Sequence, residues 1–169
     1  MRKVLLSSFA LSAALLFAAD ARSQAPAAPP PAPPPAYGDT INLEQAKKAA
    51  DAAEAEIKKN NWTMAISIVG PSGDLVYFRK IDNTQYGSIA IAHRKAKAAA
   101  IFKRPTKTWE DRVASGGAGI GVMTLDGMIA SEGGVPILVG GKIIGAMGCS
   151  GGSGQQDGVA CQAGANALK

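Results

Sequence analysis

Val135-Pro136-Ile137-Leu138-Val139-Gly140-Gly141-Lys142-Ile143-Ile144-Gly145-Ala146-Met147-Gly148-Cys149 is the stretch whose reading decides the fold. Two short apolar runs, 135–139 and 143–149, flank a Gly-Gly pair suited to the positive φ angles of a tight hairpin turn. A second hairpin lies upstream. Trp62, Met64, Ile66 and Ile68 alternate with Thr63, Ala65, Ser67 and Val69. Pro71-Ser72-Gly73-Asp74 supplies turn chemistry, and Leu75 to Lys80 returns as a strand. Tight hairpins make antiparallel pairs. Met128 to Ser131 is read as a further short strand.

Helical patterns lie before, between and after the hairpins. Leu43, Ala46, Ala50, Ala53 and Ile57 fall on one face of a helix over 43–59, with Asn42 as N-cap and Gln45 as its capping-box partner. Glu44–Lys48 and Glu54–Lys58 are spaced to pair on its outer face. A second helix runs from Ser88 to Lys103, bounded by Pro105, with Ile89, Ala92, Ala96, Ala99 and Ala100 as a stripe of mostly small side chains. A short helix over 108–114 opens at Thr108, with Glu110 and Asp111 where the helix dipole favours acids. Residues 115–121 read as a loop, and a last helix spans 157–168. The fold class is therefore α+β: one antiparallel sheet built from two hairpins and flanked by helices.

The start of the chain has a different character. Arg2 and Lys3 precede an apolar run from Val4 to Ala19, and Ala19-Asp20-Ala21 and Ser23-Gln24-Ala25 both fit a small-x-small cleavage rule. Residues 1–25 are read as a secretory signal peptide rather than an anchor, since a spanning helix needs about 20 apolar residues. A Pro/Ala-rich linker follows over 26–39, whose residues 26–36 are Pro and Ala alone and favour an extended spacer. The remaining domain is 40–169, and the expected location is periplasmic or secreted. No later stretch is long and apolar enough to span a bilayer.

The net charge is +5, spread along the chain. A nucleic-acid protein would show a denser basic stripe interleaved with aromatics. The basic balance instead suits a small acidic ligand, or solubility alone. Two cysteines, Cys149 and Cys161, are even in number. The Gly-rich loop after Cys149 can fold the last helix back along the strand, bringing the two α-carbons to the ~5.5 Å that a disulfide needs. Two buried free thiols are the alternative.

Several kinds of chemistry are excluded. The chain has no Cys-x-x-Cys, no Gly-x-Ser-x-Gly and no Gly-Lys-Ser/Thr phosphate loop. Its single histidine, His93, rules out a multi-histidine metal site.

What remains is a succession of motifs. Pro71-Ser72-Gly73-Asp74 leads to Arg79 and Asp82. Lys95-Ala96 and Thr106 follow, then Gly133-Gly134-Val135-Pro136. Gly145-Ala146-Met147-Gly148-Cys149-Ser150-Gly151-Gly152 and Asp157 close the series. This pattern resembles the GlcG/HbpS family of haem-binding or haem-degrading proteins, related to the C-terminal domain of PduO-type proteins, over nearly all of 41–169. The resemblance implies a profilin-like fold and homo-oligomers. In some members it also implies haem binding or breakdown, redox sensing outside the cell, or a link to corrinoid or glycolate metabolism.

Haem wants an apolar slot, an axial donor and cations for its propionates. His93 is the leading donor, with Met64, Met123, Met128, Met147 and Tyr86 as others. Lys97 lies one turn on from His93, and Arg94, Lys95, Lys103 and Arg104 are further cations. The expected ligand contacts are His93, Arg79, Lys95, Lys97, Thr106, Gly133 and Gly134. The sequence thus points to an exported small-ligand-binding protein, most simply for haem or a related tetrapyrrole in uptake, storage or sensing. The alternative is a non-enzymatic regulatory or structural homo-oligomer that binds another small acid or a partner protein. No proton-transfer set is identifiable, so haem degradation is implied by resemblance alone.

Overall fold

The structure, a computed structural model, describes residues 32–169. The signal-peptide reading and the first part of the linker lie outside the described residues.

Helix α1 (Leu43–Lys59) leads into strands β1 (Ala65–Val69) and β2 (Leu75–Lys80). Helices α2 (Gly87–Ile101) and α3 (Lys107–Ala114) and a 3-10 helix (Gly117–Thr124) come next, then β3 (Gly134–Val139), β4 (Lys142–Ser150) and α4 (Gly154–Asn166). The four strands form one antiparallel sheet in the order β2-β1-β4-β3. The α+β fold expected from the two hairpins is the fold observed. Gly140 and Gly141 have φ of 56° and 73°, the conformation a two-residue hairpin turn requires.

Both faces of the sheet are covered. Helices α1 and α4 pack together on one face, where Ile57, Ile66, Ile68, Ile137 and Met147 form the main core. Helix α2 lies along the other, with Ala96, Ala99 and Ala100 against Val69 and Ala146. This explains why β1 is buried at every position rather than alternately: a central strand with helices on both faces has no wet side. The small-residue stripe of α2 is consumed by the protein's own sheet. A Cβ at Gly148 would overlap the backbone of Ala92 and Ala96, so helix and strand touch main chain to main chain.

Local sequence set most boundaries. Asn42 caps α1 in a full capping box with Gln45, and Glu54 pairs with Lys58 at 2.7 Å. Helix α4 starts at Gly154, earlier than the expected 157, because Ser153 and Gln156 form a second capping box. Helix α2 stops at Ile101, and Lys103 takes a φ of 57° just before Pro105. Two expectations fail. Residues 115–121 are not simply a loop, since a 3-10 helix begins at Gly117 and turns Val122 onto Trp109 and Met128. Met128 to Ser131 form no strand, because the sheet edge beyond β3 stays unpaired there and Met128 packs instead into that small α3 core.

The linker boundary at 39 also shifts. Ile143 donates its N–H to the Ala36 carbonyl, Gly38 donates to Ile143, and Ile41 donates to Ile144. Residues 36–41 thus continue the sheet beside β4 where β1 ends. Cys149 on β4 and Cys161 on α4 are joined in a disulfide, with α-carbons 5.6 Å apart. Closing a loop of this length stabilises a fold by roughly 3 kcal/mol.

Candidate functional site

Helix α2 organises the site because its flanks differ. Ile89, His93 and Lys97 follow at four-residue steps along one flank of the helix. His93 Nδ1 and Ser67 Oγ share a hydrogen bond at 3.3 Å, and Ser67 is fully buried on β1. Ser67 stands opposite Phe78 in the β1–β2 register, so Phe78 shares its face of the sheet. Lys80 lies opposite Ala65 on that same face, with its Nζ 5.9 Å from the Tyr86 ring. Lys97 lays its stem over Gly73 at the other end.

His93, Phe78 and Lys80 thus lie on the α2 side of the sheet, with Ile89 and Lys97 one turn before and one turn after His93 on the helix. Nε2 of His93 takes no protein partner among the described residues. Tyr86, beside Lys80, is 85 % exposed.

The recurring motif residues gather elsewhere. Lys95 Nζ donates to Asp157 Oδ2 at 2.8 Å, with both side chains almost wholly buried. The Gly152 N–H donates to Asp157 Oδ1 at 2.9 Å. Burial raises the Asp157 carboxyl above its ordinary pKa, against the opposing pull of Lys95 and of backbone N–H groups. Gly134 donates to Thr106 Oγ1 and accepts from the Thr106 N–H, each at 2.9 Å. A Cβ at Gly133 would lie 2.7 Å from Asp157 Cβ and 3.0 Å from Lys95 Nζ, so this ion pair leaves room only for glycine.

Lys95, Thr106, Gly133 and Gly134 are therefore brought together, but as a buried knot tying α2, α3, β3 and the start of α4. Beside it, Lys107, Glu132, Gly133, Val135 and Gln162 border a cleft of about 270 Å³. Arg79 is separated from all of these. It lies on the α1 face of the sheet, bound to Asp51 at 2.8 Å, to Glu54, and to the Tyr77 hydroxyl at 2.8 Å. The remaining donors divide in the same way. Met64 and Met147 are sealed in the main core, Met128 in the α3 core, and Met123 is exposed on the 3-10 helix. Arg94 is bonded to the Met128 carbonyl, Lys103 covers the Tyr37 ring and Arg104 the Trp109 ring.

The sequence reading missed Ser67 and Phe78. The usable signal was Ser67 itself, the one polar residue inside the Ala65–Val69 strand. Among the described residues, no group of three or more His, Cys, Asp and Glu side chains is placed to hold a metal ion.

The family model described as "Haem degrading protein HbpS-like" matches residues 41–166. The chain belongs to this family. GlcG of Escherichia coli K12 is 34 % identical over 110 residues, covering 65 % of this chain and 81 % of GlcG. A double mutant of HbpS from Streptomyces reticuli superposes with a TM-score of 0.71 at 28 % identity, over 85 % of this chain and 99 % of HbpS. A PduOC–haem complex shares the fold at a TM-score of 0.69 and 24 % identity, over 77 % of this chain and 96 % of that one. The HbpS-like match begins at Ile41, in the segment that pairs with β4, and ends at Asn166, the last residue of α4.

Proposed function

We propose that this protein is exported and binds haem or a related tetrapyrrole, for uptake, storage or sensing. The observation that carries the reading is the single histidine, held through Nδ1 by buried Ser67 in an HbpS-like chain. With Nδ1–H donated to Ser67, Nε2 keeps the lone pair that a metal needs, and the second hydrogen bond fixes the ring's orientation. Ile89 and Phe78 would lie against the flat apolar ring, and Lys80 and Lys97 would meet its carboxylates. Haem, when bound, supplies an iron that accepts a nitrogen donor. These residues would bind and orient it; none is placed as a proton-transfer pair.

Haemin titration of the mature protein should show a saturable Soret shift at low micromolar concentration or tighter, which corresponds to roughly −8 kcal/mol. His93→Ala should change the bound spectrum, and Ser67→Ala should weaken binding about tenfold while keeping the same spectral type. A His93→Ala spectrum identical to that of the parent would remove His93 from the iron.

Export rests on the tripartite N-terminus. Mass spectrometry should find a mature chain that begins at Arg22 or Pro26. A membrane-bound chain still starting at Met1 would refute it. We also propose a homo-oligomer. The α2 stripe no longer supports one, since it packs on the protein's own sheet, but edge strand β2 keeps a free backbone edge. Light scattering should give at least twice the mass of one chain; a monomer at high micromolar concentration would count against assembly.

A further inference from the structure

A second surface, sharing only Lys97 with the haem reading, carries a further inference. From Val113 to Leu125 the chain has no charged residue and four glycines. The 3-10 helix in this arm turns Val122 inward, yet leaves Ile120 and Met123 each 56 % exposed and Leu125 44 % exposed. The arm packs on α3, and the chain just after it crosses the outer flank of α2. Arg94 donates to the Met128 carbonyl at 3.3 Å, and Ile101 lies against Gly127.

The flank it meets is basic. No acid occurs between Asp82 and Glu110, and Arg94 and Lys97 are exposed without an ion pair among the described residues. Asp126 is the first acid after the arm. Exposed aliphatic side chains on an uncharged segment, beside cations lacking acid partners, match the chemistry of a membrane interface. The apolar groups enter the headgroup–acyl boundary, and the cations meet anionic headgroups. A second copy presenting the same face would set cation against cation, whereas an anionic bilayer neutralises both.

We propose that the face formed by Ile120, Met123, Leu125, Arg94 and Lys97 docks on an anionic lipid surface. The test is co-sedimentation of the mature protein with phosphatidylcholine vesicles, with and without phosphatidylglycerol at about one lipid in three. Binding should be about tenfold stronger with the anionic lipid, and high salt should abolish the difference. The double variants Ile120→Ser/Met123→Ser and Arg94→Gln/Lys97→Gln should each lower it about tenfold, with circular dichroism unchanged. Equal binding to both vesicle types, or binding to neither, would overturn the proposal. So would an apolar double variant that lowers the mass by light scattering but leaves vesicle binding intact, since the face would then belong to a second copy.

Discussion

Asp157→Ala should destabilise the protein by about 3–5 kcal/mol in urea unfolding, because it leaves the Lys95 ammonium buried without its carboxylate. The same physics predicts the opposite result for the double change. Lys95→Met with Asp157→Leu should restore stability to within about 1 kcal/mol of the parent, or exceed it, since removing both charges also removes their desolvation cost. The pH dependence follows from the sign of the shift. The Asp157 carboxyl is raised by burial in the folded state, so folding disfavours its ionised form. Its contribution to stability is therefore fully present below the ordinary carboxylate pKa and is lost as pH rises through the raised value. Asp157→Asn should flatten that part of the profile. A parent whose stability climbs through this window because of Asp157 would contradict the assignment.

Gly148→Val should cost about 3 kcal/mol or more, the second large effect. The new side chain would meet the main chain of α2 at Ala92 and Ala96, and a helix backbone cannot swing aside as a side chain can. Relief requires lifting α2 from the sheet. That motion also draws His93 away from Ser67, so a variant that still folds should lose haemin affinity together with stability. Thermal unfolding and haemin titration of the same sample check both. If stability falls while haemin affinity is unchanged, the proposed haemin site does not depend on the seating of α2.

The contrast between these two glycine- and charge-based effects shows where the sequence was legible. Periodicities and caps are local, so α1, both hairpins and the Asn42–Gln45 box could be read directly. The Cys149–Cys161 bond followed from a strand, a short loop and a helix adjacent in the chain. Roles that depend on which face a side chain takes could not be read this way. Arg79 and Lys80 are neighbours in sequence, yet one joins α1 and the other lies on the α2 side, because alternation sends them to opposite sides of the sheet. Lys95 and Lys97 look alike on a basic helix. The two-residue step turns one into the core toward Asp157, some sixty positions later in the chain, and leaves the other in water. The linker boundary was missed for the same reason: composition separates Pro/Ala from the rest, but the partner of residues 36–41 lies on β4.

That last pairing also orders events in time. As the chain is made, β1 and β2 can form their hairpin early, but the other edge of β1 and the whole of residues 36–41 wait for β4, near the end of the chain. Contacts of such long sequence separation make slow folding. Until β4 appears, Ile66 and Ile68 have no completed sheet beneath α1, and the Cys149–Cys161 bond has nothing to lock. The growing polypeptide thus lacks the strand that joins its two hairpins for most of its synthesis.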